Sequence, residues 1–83
     1  MKSIPIVFLY RSKYYKANVT KTRGTMVEYH LFEAIPHLYF KAPLVFVSDP
    51  VEDTLIYDHD ELNHAIASAI IDSCVLLEEP LHS

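Results

Sequence analysis

Residues 10–24 read YRSKYYKANVTKTRG, and how this stretch turns decides which side chains the rest of a sheet can bury. It holds Arg11, Lys13, Lys16, Lys21 and Arg23, five of the chain's seven basic residues, and no acid. Its tyrosines and basic residues interleave as they do in some single-strand nucleic-acid binders. Upstream lies the β-branched and aromatic IPIVFLY, and residues 14–21 and 25–33 alternate in polarity. Two consecutive hairpins follow from that pattern.

Residues opposite each other in an antiparallel pair share a sheet face, so loop length sets which side chains are neighbours. A three-residue first loop, Arg11-Ser12-Lys13, pairs Leu9 with Tyr15, Val7 with Ala17 and Pro5 with Val19. A second loop, Thr22-Arg23-Gly24 with Gly24 in the left-handed position, pairs Val19 with Val27 and Ala17 with Tyr29. The odd-numbered residues then form the core face. The even-numbered face carries Ile4, Ile6, Phe8, Tyr10, Tyr14, Met26 and Phe32 around Lys16. One helix covers one side of a sheet, so this register leaves an apolar face for residues 34–57 or a partner to cover.

The same register disperses the basic residues. Arg11 and Lys13 fall in one loop and Lys21 and Arg23 near the other, about 26 Å apart at ~3.3 Å per strand residue. Tyr14 and Tyr15 point to opposite faces.

Further along, AIPHLYFKA is bracketed by Pro36 and Pro43, LVFVS reads as a buried strand, and TLIYD as a short return strand. The C-terminal segment is helical. Asp58 followed by Glu61 resembles a capping box, and Leu62, Ala65, Ile66, Ala69, Ile70 and Leu77 share one face at ~100° per residue. Asn63, His64, Ser68 and Asp72 lie off that face, and Ile71 and Val75 project among the polar residues.

The expected architecture is therefore α+β: an antiparallel β-meander of four to five strands with one C-terminal α-helix packed on one face. The chain reads as a single domain, 1–83, with strands near 4–10, 14–21, 25–33, 44–48 and 54–57 and a helix near 59–75. At 83 residues a single core is marginal, while 51% hydrophobic residues is more than such a core easily absorbs. Self-association would use the surplus.

Charge argues against a general polyanion binder, since the chain carries a net charge of −4 with all eleven acids from Glu28 onward. The lone Cys74 excludes an internal disulfide framework and a cysteine-rich zinc site, and fits a reducing, cytoplasmic location. IPIVFLY is too short to span a membrane and lacks a cleavage site after it, so neither a membrane anchor nor a signal peptide is expected.

YDHDELNH collects Asp58, His59, Asp60, Glu61 and His64. Zinc-protease helices place two histidines four residues apart so that both face one ion. On a helix, His59 and His64 would stand about 140° apart at ~100° per residue, which separates them. Asp60 and His64 share a face and could contribute two ligands, but a closed site needs more from elsewhere, such as His37 or Asp53. A metal-dependent activity there ranks behind an ordinary capped helix start, and no metal or other cofactor is expected. A single glycine excludes a glycine-rich phosphate loop, and Cys74 has no assignable catalytic partner.

These observations point to a small non-catalytic protein-protein interaction domain, a homodimer or half of a complex, rather than an enzyme. Its expected interface is Ile6, Phe8, Tyr10, Tyr14, Lys16 and Phe32 on the sheet, with Ile71 and Val75 on the helix. The alternative is a nucleic-acid-binding module that uses Arg11, Lys13, Lys16, Lys21 and Arg23.

Overall fold

The computed structural model describes residues 2–52 and 54–76, with side chains described up to Ser73. Five strands, β1 (Lys2–Tyr10), β2 (Lys13–Arg23), β3 (Val27–Leu31), β4 (Leu44–Asp49) and β5 (Thr54–Ile56), precede one helix, α1 (Glu61–Leu76). The strands form one antiparallel sheet in the order β1-β2-β3-β4-β5, the expected meander. The sheet curls around a core closed by α1, which packs chiefly on β1.

The first hairpin departs from the expected register by one residue. Tyr10 pairs with Lys13, so the loop is the two residues Arg11 and Ser12, both left-handed at φ 49° and 63°. Such a turn matches the right-handed twist of the flanking strands. Neither residue is the Asn, Asp or Gly that usually announces it, and left-handed backbone costs an ordinary side chain about 1–2 kcal/mol each. Against that cost stands burial. This register places Ile4, Ile6 and Phe8 inside in place of Pro5, Val7 and Leu9. The exchange buries about five more side-chain carbons, on the order of 4 kcal/mol at ~0.8 kcal/mol per carbon. Phe8 also stacks on Tyr15 opposite, with ring centroids 5.6 Å apart.

A one-residue slip turns every β1 side chain over. The even-numbered residues of β1 therefore join the odd-numbered residues of β2 and β3, and Ile4, Ile6, Phe8, Ala17, Val19, Tyr29 and Leu31 share one core. The expected odd face holds for β2 and β3 and is reversed for β1.

The second loop also differs. Arg23 pairs with Val27 around Gly24, Thr25 and Met26, and Gly24 does not have positive φ. The shift preserves parity, so the faces of β2 and β3 are unchanged, but Lys21 replaces Ala17 opposite Tyr29. Where β3 ends, the Asn18 amide donates instead to Glu33 Oε1 at 2.7 Å.

The described residues of the 34–57 segment do not cover the outer face. Residues 44–49 and 54–56 extend the sheet, while Ile35 is buried in the core and Leu38 and Phe40 pack against it. Phe46 pairs with Tyr29, and Leu55 with Ser48, on the inner face.

The helix starts two residues later than expected. Asp60, not Asp58, is its cap: Asp60 Oδ1 accepts the Asn63 amide at 2.8 Å, and the Asp60 carbonyl accepts the His64 amide. Asn63, expected off the apolar face, is buried, and its Nδ2 donates to the Asp58 carbonyl at 2.9 Å, tying the chain before the helix to its first turn. The buried face runs through Asn63, Ile66, Ala67, Ala69 and Ile70. Ser73 Oγ donates to the Pro5 carbonyl at 3.3 Å, tying the helix to the outermost strand. Asp53, Leu77 and the side chains of Cys74 and Val75 lie outside the described residues.

Candidate interaction face and histidine cluster

Two surfaces carry chemistry. The first is the outer face of the sheet, and it is not the face expected. Ile6 and Phe8, named above as interface residues, are each 2% exposed and lie in the core. Tyr10 is half-buried, and Ile71 packs partly against the core cluster. Tyr14, Lys16 and Phe32 do face solvent, and the register sets Val7 and Leu9 beside the first two. Leu9 lies opposite Tyr14 and Val7 opposite Lys16, with Val7, Leu9 and Tyr14 exposed to 55%, 52% and 74%.

Backbone adds to that corner. Tyr10 and Lys13 close a two-residue hairpin as a hydrogen-bonded pair, so by alternation the amides of Val7 and Leu9 point away from β2. Among the described residues no strand pairs with that edge of β1. Pro5, which has no amide proton, sits where the edge needs none, and its carbonyl is taken by Ser73. Lys2 and Pro5 thus blunt the first half of the edge. Among the described residues, the half bearing Val7 and Leu9 has no such protection.

The middle of the outer face is polar. His30 Nε2 and Glu28 Oε1 approach to 2.9 Å, and the His30 ring stacks on Phe32 at 5.4 Å. Val45 and Ile56 form a second, separate apolar patch beyond them. The outer surface is therefore two apolar patches divided by a polar band, rather than one continuous apolar face.

The basic residues do not converge. Arg11 Nε lies 3.5 Å from Glu61 Oε2, both well exposed, and its guanidinium sits over the Tyr10 ring at 5.1 Å. Lys21 is only 2% exposed, with its ammonium 5.9 Å from the centroid of the Tyr29 ring. Lys13 and Lys16 are exposed on the first hairpin, and Arg23 stands at the far end of β2.

The second surface lies where β5 passes into α1. Tyr57, His59 and His64 form a ring cluster with centroids 5.1–5.4 Å apart, anchored where Tyr57 leans on the buried Phe46 at 5.5 Å. Tyr57 Oη lies 2.7 Å from His64 Nδ1, and His59 Nδ1 lies 3.4 Å from His64 Nε2. Because α1 begins at Glu61, His59 precedes the helix and the helical separation of the two histidines does not apply. Helical spacing hid this pair in the sequence. Beside it, an open cleft of roughly 910 Å³ is lined by residues from Phe40 and Leu44 to Leu62 and Asn63, with Arg11, Lys41, Asp58 and Asp60 also in its lining. Among the described residues, no group of three or more His, Cys, Asp or Glu side chains is placed to hold a metal ion. No described helix is long and apolar enough to cross a membrane.

Compared with protein-family models, curated proteins and solved structures, the chain matches none of them.

Proposed function

We propose that the protein is a small non-catalytic interaction domain that pairs with a second copy of itself through the outer face of its sheet. The observation that carries this reading is the corner formed by Val7, Leu9 and Tyr14, three neighbouring apolar side chains exposed next to a strand edge that no strand pairs with among the described residues. Apolar side chains and open backbone groups in one place favour both face burial and strand addition. A symmetric pair buries the same corner on both copies, with Lys16 at its margin. The lone Cys74 suits a reducing setting, so the cytoplasm is the proposed location.

Light scattering after size exclusion at high micromolar concentration tests this. A dimer is expected, and Leu9→Lys, which charges an exposed position and leaves the core intact, is expected to give a monomer. A wild-type monomer at that concentration overturns the reading.

Nucleic-acid binding has less support, since Arg11 is engaged with Glu61 and Lys21 is buried. Absence of a shift for a labelled single strand at low salt would remove it.

A further inference from the structure

The histidine pair carries an inference independent of self-association. We propose that His59 Nδ1 and His64 Nε2 form a two-imidazole surface site for a borderline divalent metal ion of the zinc, copper(II) and nickel(II) class.

Three observations converge on it. The two ring nitrogens are 3.4 Å apart, beyond the usual ~2.7–3.2 Å of an N–H hydrogen bond. That separation matches the edge of a tetrahedron, about 3.3 Å, whose corners lie ~2.0–2.1 Å from a zinc ion. The other nitrogen of His64, Nδ1, lies 2.7 Å from Tyr57 Oη. Donation of Nδ1–H to that oxygen leaves the Nε2 lone pair for an ion, the outer-shell arrangement that fixes a ligating imidazole. Tyr57 is itself held against Phe46, so the ring it orients rests on the core. Last, the acids Asp58, Asp60 and Glu61 outnumber the cations Arg11 and Lys41 around this corner even with Arg11 beside Glu61, and Asp60 Oδ1 is committed to the helix cap. Among the described residues no carboxylate joins the two imidazoles in a group of three, so the protein ligands are nitrogen alone, with water completing the shell. Nitrogen donors select the zinc class over magnesium and calcium, which take oxygen.

Calorimetric titration of tag-free protein with zinc chloride in a non-coordinating buffer, followed in parallel by nitrogen-15 shifts of the imidazoles, tests the site. One ion per chain is expected, with shifts at His59 and His64 and no response to magnesium chloride. His59→Ala and His64→Ala each remove the chelate and weaken binding on the order of a hundredfold. Tyr57→Phe keeps the packing, loses the orienting oxygen and weakens binding about tenfold. His37→Asn leaves it unchanged. Both histidines are exposed, so circular dichroism is expected to show the alanine variants folded. No one-to-one binding, or binding that survives either alanine variant, overturns the proposal.

Discussion

Tyr10 and Lys13 stand opposite each other across a turn of only two residues, and that single pairing puts Ile4, Ile6 and Phe8 in the core. Had the turn held one residue more, the outer strand would present its other face to the helix.

Neighbouring positions on β1 therefore respond in opposite ways to the same change. Ile6→Ala is expected to cost about 2–5 kcal/mol, as a buried large-to-small substitution does. Val7→Ala, on the solvent face, is expected to change monomer stability by less than about 0.5 kcal/mol. Urea unfolding of both variants at low protein concentration measures the contrast, and a reversed order would mean the three-residue turn.

The turn itself is improvable. Ser12 holds φ 63° with a side chain that disfavours it. Ser12→Gly relieves that conformation and is expected to raise the unfolding free energy by about 0.5–1 kcal/mol, read as a higher urea midpoint. A lower midpoint would contradict the two-residue turn.

Ser48 has its hydroxyl inside the sheet, 1% exposed, with no hydrogen-bond partner among the described residues. An unsatisfied buried hydroxyl costs about 1–3 kcal/mol. Ser48→Ala is accordingly expected to be neutral or to stabilise by about 1 kcal/mol in thermal unfolding. Marked destabilisation would show that the hydroxyl is satisfied.

The two aspartates at the start of the helix separate just as cleanly. Asp60→Ala removes the carboxylate that accepts the Asn63 amide and is expected to cost about 1 kcal/mol. Asp58→Ala leaves the backbone carbonyl that Asn63 uses, so it is expected to cost only a few tenths of a kcal/mol. Equal losses would place the cap elsewhere.

Much of the fold was legible in the chain because its causes are local. Alternation in residues 14–21 and 25–33 marks strands whose odd-numbered residues face inward, and Ala17, Val19, Tyr29 and Leu31 are buried. The apolar spacing of Ile66, Ala69 and Ile70 marks one helix against one sheet face. The interface was less legible. On β1 both parities are apolar, Ile4, Ile6 and Phe8 against Pro5, Val7 and Leu9, so alternation carries no information about which set turns inward. The turn that decides it lacks the residues that would reveal it.

Composition and periodicity by themselves determined the class of fold, the order of its elements and the inward face of β2 and β3, because side-chain direction in a strand or helix is a local property. Only tertiary structure decided which face of β1 is buried, since that depends on how much apolar volume each register delivers beneath a helix more than fifty residues away in the chain. It likewise brought His59 to His64, because where a helix begins depends on which carboxylate meets its first free amides. YRSKYYKANVTKTRG thus turns at Arg11 and Ser12, buries Lys21, and leaves Tyr14 beside Leu9 on the surface.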